Sequence, residues 1–115
     1  MVECPRRGEI YWAYLDPALG SEMGKTRPVI VVQNEIGNRL SPITVVVPVT
    51  SKIPDRVHPF QVRLPEATLP KASVALCNHL RAVDRRRLKP GPVAMLDAET
   101  MAAVDDALRA ELGLL

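Results

Sequence analysis

Histidine, cysteine and aromatic side chains are scarce in this chain of 115 residues, which has two histidines, two cysteines, one tryptophan, one phenylalanine and two tyrosines. With so few ligand-type groups, and with Cys4 and Cys77 far outside metal-ligand spacing, no metal site is expected. Two thiols in a reducing compartment are most simply free. Apolar runs stay well short of the ~20 residues of a membrane-spanning helix. The stretch Met1 to Arg7 has no apolar core that could serve as a signal peptide. The expectation is a cytoplasmic protein without a membrane partner. A Gly-rich phosphate loop and a Ser-His-Asp order are also missing, so no cofactor is expected.

What the chain does hold is cationic. Net charge is only +2, but residues 1–90 carry 14 basic and 8 acidic side chains, whereas residues 91–115 carry 1 and 5. A basic body followed by an acidic segment suits a polyanion on one face, of which nucleic acid is the commonest. Eleven of the cations are arginine, whose planar fork fits phosphate oxygens and base edges. Length and composition are those of one globular domain covering residues 1–115.

Alternating and β-branched runs dominate up to about residue 96. Strands are predicted at Glu9 to Leu15, Val29 to Gln33, Ile43 to Thr50, Phe60 to Leu64, Ser73 to Cys77 and Val93 to Leu96. The second is apolar on both faces and therefore central. Pro48 implies an edge or a bulge in the third. Asn34 to Pro42 reads as a polar loop, and Asp84 to Leu88 as one helical turn capped by Asp84. After Asp97, an N-cap residue, Met101, Val104, Leu108 and Leu112 recur at helical spacing up to Gly113. The reading is a small, partly closed β-sheet with one amphipathic C-terminal helix and an aliphatic core.

The densest chemistry lies in Gly20 to Pro28, a loop with hydroxyls, a carboxylate and two cations that ends in Arg27 at the mouth of an apolar strand. Pro28 holds Arg27 out of helical geometry. Other polar candidates are Thr50 and Ser51 at a strand end, Lys52 and Arg56 in the next loop, His79, Arg81, and the run Arg85 to Arg87. By spacing alone each has a plain reading: a surface hairpin, a turn hydroxyl, a structural histidine, a solvated basic face.

Several segments in order resemble one family, the MazF/PemK toxins. They are Arg7 to Trp12, Leu15-Asp16-Pro17, Gly20-Ser21-Glu22, Lys25 to Val29, Gln33 to Pro42, Val49-Thr50-Ser51, Leu80 to Leu88, and the terminal Leu112-Gly113-Leu114. The resemblance implies a mainly β fold with a C-terminal α-helix, the SH3-like (CcdB/PemK-type) small β-barrel, acting as a homodimer. It further implies a metal-independent endoribonuclease that cuts single-stranded RNA at short sequences. A cognate MazE-like antitoxin neutralises such toxins, and operator DNA is bound only through the antitoxin complex. The family's catalytic arginine and threonine fall on Arg27 and Thr50. Ser21 and Glu22 match the loop that lines the RNA groove, and Lys25, Ser51, Lys52, Arg56, His79 and Arg81 are the accompanying RNA-binding candidates. Asn34 and Arg39 match positions that shape the site or the dimer. Two other readings use the same scaffold: a CcdB-like gyrase-inhibiting toxin, and a non-catalytic RNA-binding module. The chain end, Leu112-Gly113-Leu114-Leu115, lacks the tryptophan on which the first of these depends.

One departure is visible. Asn78-His79 stands where many relatives carry an acidic residue and glutamine. Histidine and glutamine present different donors and acceptors, so base preference is affected if this pair reads RNA. An imidazole also suits proton transfer near neutral pH or stacking on a base.

Overall fold

The computed structural model describes residue 2 and residues 4–114. Strands β1 (Glu9–Tyr14) and β2 (Thr26–Val31) lead to a short helix α1 (Glu35–Leu40). Strands β3 (Ile43–Thr50), β4 (Gln61–Arg63), β5 (Val74–Leu76), β6 (Arg81–Asp84) and β7 (Ala94–Met95) follow, and helix α2 (Ala98–Leu112) closes the order. Pairing is antiparallel throughout. The sheet runs β4-β5-β3-β2-β1-β7, with β6 also on β3. Among the described residues no bridge joins β4 to β7, so the sheet curls as a half-barrel. No described helix is long and apolar enough to cross a membrane.

Strand β2 is central, as its two apolar faces predict. Ile30 and Val32 enter one core cluster with Ile10, Val47, Val49, Ala75, Cys77 and residues of α2. Val29 and Val31 enter a second, with Tyr11, Ala13, Leu15, Val46 and Val83. Period-two alternation thus feeds two cores from one strand. Burial pushes the Cys77 thiol up to about 12, so it stays protonated and unreactive.

Pro48 does not lie on an edge strand. It falls in the interval of β3 between the stretch paired with β6 (Ile43 to Val46) and the stretch paired with β5 (Val49, Thr50). There the missing N–H interrupts little on that side.

The segment read as a polar loop, Asn34 to Pro42, contains α1. Asn34 is its N-cap, accepting from the Gly37 N–H at 2.8 Å. Such a short helix falls below what periodicity detects. Asn38 on it is fully buried. Its carboxamide oxygen accepts from the Thr44 hydroxyl at 2.8 Å, and its nitrogen donates to the Gln33 carbonyl at 3.0 Å. Strand β6 was also absent from the pattern, because Arg81-Ala82-Val83-Asp84 alternates over too few residues. Asp84 does cap one 3₁₀ turn, accepting from the Arg86 N–H.

In α2, Asp97 accepts from the Thr100 N–H at 2.7 Å, and Gly113 ends the helix in the left-handed region. Val104 is fully buried and Met101 and Leu108 pack at the margin, but Leu112 is exposed. Thr100 and Ala107 complete the buried stripe. Arg7 ties this helix back, pairing with Asp105 and donating to the Val32 carbonyl.

Candidate active site

The loop between β1 and β2 closes on itself. Lys25, at φ 62°, donates its N–H to the Asp16 carboxylate at 2.8 Å. A Cβ on Gly24 would lie 2.4 Å from that carboxylate and 2.9 Å from Ala18, so only glycine permits the approach. The Glu22 carboxylate accepts from the Leu19 N–H at 2.6 Å. Ser21 and Lys25 are exposed. Arg27, half-buried, donates its Nε to the Gly24 carbonyl at 2.9 Å. Among the described residues its two terminal nitrogens have no hydrogen-bond partner.

Thr50 ends β3 and is buried. Its hydroxyl oxygen accepts from the Lys52 N–H at 3.1 Å, the turn role that spacing alone suggests, and its hydrogen remains available to a ligand. The β2–β3 ladder stops at Val29 opposite Pro48. Continuing that register by two residues sets Arg27 opposite Thr50. Directly opposed residues in an antiparallel pair project to the same side. Pro28 and Pro48 supply no ladder donors, and β2 and β3 pair no further in this direction than Val29 and Pro48.

A cleft of about 320 Å³ lies beside the start of β2 and the end of β3, lined by Trp12, Thr26, Arg27, Pro28, Val49 and Ser51, with Leu69, Pro70, Lys71 and Ser73. A second cleft, about 270 Å³, is lined by Glu22, Met23, Asn78, His79, Leu80 and Arg81. The structure therefore brings Arg27 together with Ser51 in one cleft, and Glu22 with His79 and Arg81 in the other. Thr50 lines neither cleft. Lys52 and Arg56 are exposed on the next loop and also line neither. Arg81 is partly committed, since its Nη1 donates to the Leu15 carbonyl at 3.0 Å. Lys71, Ser73 and Trp12 were not among the sequence candidates. Lys71 and Ser73 come from the segment between β4 and β5, with no local pattern to single them out, and Trp12 reads simply as a strand residue.

Residues 6–112 match the PemK-like, MazF-like toxins of type II toxin–antitoxin systems. The chain belongs to this family. It is 39% identical over 112 residues to endoribonuclease EndoA of Bacillus subtilis strain 168, which covers 96% of each chain. The crystal structure of MazF (Form-I) from Deinococcus radiodurans superposes with a TM-score of 0.83 at 32% identity, over 96% of this chain and 98% of that one. In MazE–MazF (Form-III) from the same organism the matching chain has a TM-score of 0.77 at 30% identity, over 96% and 98%. The mainly β fold with a C-terminal helix is thus that of the MazF structures.

Proposed function

We propose that this MazF-like toxin is an endoribonuclease that cuts single-stranded RNA at short sequences, without a metal, by attack of the substrate's own 2′-hydroxyl. The observation that supports the reading is the β2–β3 register, which, continued two residues beyond Val29 and Pro48, sets Arg27 opposite Thr50. The kinship to EndoA, itself an endoribonuclease, supports the same activity class.

The chemistry needs charge stabilisation on phosphorus and transfer of two protons. The 2′-oxygen bonds to phosphorus and loses its proton. The bond to the 5′-oxygen breaks, and that oxygen gains a proton, leaving a 2′,3′-cyclic phosphate and a 5′-hydroxyl. Arg27 stabilises the added charge: with Nε held by Gly24, its terminal N–H groups can face the non-bridging oxygens. A preorganised donor of this kind lowers the barrier by about 3–4 kcal/mol. A guanidinium stays protonated throughout, so it serves as a donor and not as a proton shuttle. The Thr50 hydroxyl donates to the same phosphate.

Ser21, Glu22, Lys25, Ser51, Lys52, Arg56, His79 and Arg81 form the RNA-contacting set in this reading. The second cleft offers a carboxylate, an amide and an imidazole, groups that suit the edge of an unstacked base. His79 shares that cleft with Glu22 and not with Arg27, which fits base contact better than proton transfer.

The antitoxin is a MazE-like partner competing for the basic groove, and operator DNA is reached through that complex. A MazE–MazF complex among the relatives supports an antitoxin partner. A homodimer fits the exposed apolar side chains of Ile36, Leu40 and Ile43, on α1 and the start of β3.

The test is incubation of the purified protein with a long single-stranded RNA in EDTA, beside a 2′-deoxy copy. Cleavage of the RNA alone, at recurring short sequences and with cyclic phosphate ends, is expected; Arg27→Ala is expected to lower the rate at least 100-fold. No cleavage of either strand by wild-type protein would overturn the reading in favour of a gyrase-directed or RNA-binding module.

A further inference from the structure

The run Arg85-Arg86-Arg87 has the sequence of a solvated basic face, but only Arg86 behaves that way, exposed and paired with Asp84. Arg87 donates Nη1 to the Tyr14 carbonyl at 3.0 Å and also to the Asp16 carbonyl. Arg81 donates Nη1 to the carbonyl between them, that of Leu15, at 3.0 Å. Three consecutive carbonyls at the end of β1 are therefore held by guanidinium groups more than sixty residues away in sequence.

These carbonyls form one side of the stem of the loop before β2. The Leu15 N–H donates to the Lys25 carbonyl at 2.8 Å, and the Lys25 N–H donates to the Asp16 carboxylate at 2.8 Å. Beyond the stem, Pro17 to Glu22 are exposed, and the contact between Leu19 and Glu22 is local to the loop. Arg27 lies two residues past the stem and is bonded back to Gly24. Any shift of the stem is therefore carried to its guanidinium.

We propose that Arg87, assisted by Arg81, is a positioning residue for Arg27: it clamps the stem of the loop and so holds the Arg27 end in place. Arg87 itself touches no substrate in this scheme. The proposal rests on the endoribonuclease reading for its kinetic consequences, though not for the clamp itself. Lysine is a poor substitute, because its ammonium stops one bond short of Nη1 and lacks the planar fork. A residue that merely met RNA phosphates would tolerate lysine.

The experiment compares wild type, Arg87→Ala, Arg87→Lys and, as a matched charge-loss control, Arg86→Ala. Three quantities are read: amide hydrogen exchange, kcat and KM on single-stranded RNA, and the salt dependence of affinity for an RNA made uncleavable by one 2′-deoxy at the cut site. Unchanged exchange in α2 verifies that each variant is folded. Both Arg87 variants are expected to speed exchange at Leu15 and Lys25 about 10-fold. They should lower kcat about 10-fold, keep KM within about 3-fold, and leave the salt slope unchanged. Arg86→Ala should leave exchange and kcat as in wild type. Full rescue by Arg87→Lys, unchanged exchange in Arg87→Ala, or a salt slope lower by about 0.7 for the lost charge would overturn the clamp. If exchange responds as expected while wild-type protein cuts no RNA, the clamp stands and the nuclease reading falls.

Discussion

Thr50 illustrates how a single hydroxyl holds a turn and still keeps chemistry in reserve. Its oxygen is occupied by the Lys52 N–H, which orients the group, while the hydrogen is left free to donate. Arg27 is treated alike, with one nitrogen spent on Gly24 and two left over. His79 differs, because its neighbours in the second cleft are Glu22, Met23, Asn78, Leu80 and Arg81, and not Arg27 or Thr50. We expect His79→Gln to change which RNA sequences are cut while leaving both limbs of the pH–rate profile in place. Cleavage-site mapping and rates between pH 5 and 9 check this. Loss of one limb would instead make the imidazole a proton carrier.

Among the elements, α1 is the one that packing holds and propensity does not. Six residues make less than two turns, too few to persist alone. Asn38 compensates by joining Thr44 on β3 and Gln33 on the approach to α1, and its carbonyl accepts from Arg85. A Cβ on Gly37 would sit 2.8 Å from the Gln33 carboxamide, so that glycine makes room for the network. Asn38→Ala strands the buried Thr44 hydroxyl and the Gln33 carbonyl. The expected cost is about 3 kcal/mol, seen as a fall of about 10 °C in Tm for a domain of this size. A loss below about 1 kcal/mol in denaturant unfolding would show that other groups satisfy the site.

At the scale of the whole molecule, three carboxylates respond to acid: Glu35, which ties α1 to the segment before β1, and Asp84 and Asp97, which cap local turns. The Arg7 N–H holds Glu35 below the usual carboxylate range, with help from the Asn38 amide. Arg86, through side chain and backbone, does so for Asp84, and the Thr100 N–H for Asp97. A carboxyl whose folded value is depressed stabilises the fold fully above its unfolded value, near 4. That contribution fades as pH falls through the folded value. Stability should therefore be flat in these groups from pH 7 to about 5 and decline below about pH 4. Thermal melts across that range check the sign, and Glu35→Gln should make the acid decline shallower. A maximum of stability near pH 3 would contradict it.

Local chemistry was enough to determine much of this protein. Alternation located the paired strands other than β6, Asp97 and Gly113 bounded α2, the scarcity of aromatics made the core aliphatic, and the ordered segments around Arg27 and Thr50 pointed to the family. These are signals carried within a few residues of chain, where backbone preference and side-chain period act directly. The tertiary structure decided the rest. It ended the β2–β3 pairing at Val29 and Pro48, gathered Lys71 and Ser73 into a cleft with Arg27, and set Glu22 in a cleft with His79. It also turned Arg81 and Arg87 from surface charge into a grip on the end of β1. Such relations depend on which distant carbonyls and strand ends meet after folding, and hydrogen bonds across more than sixty residues leave no period in the sequence.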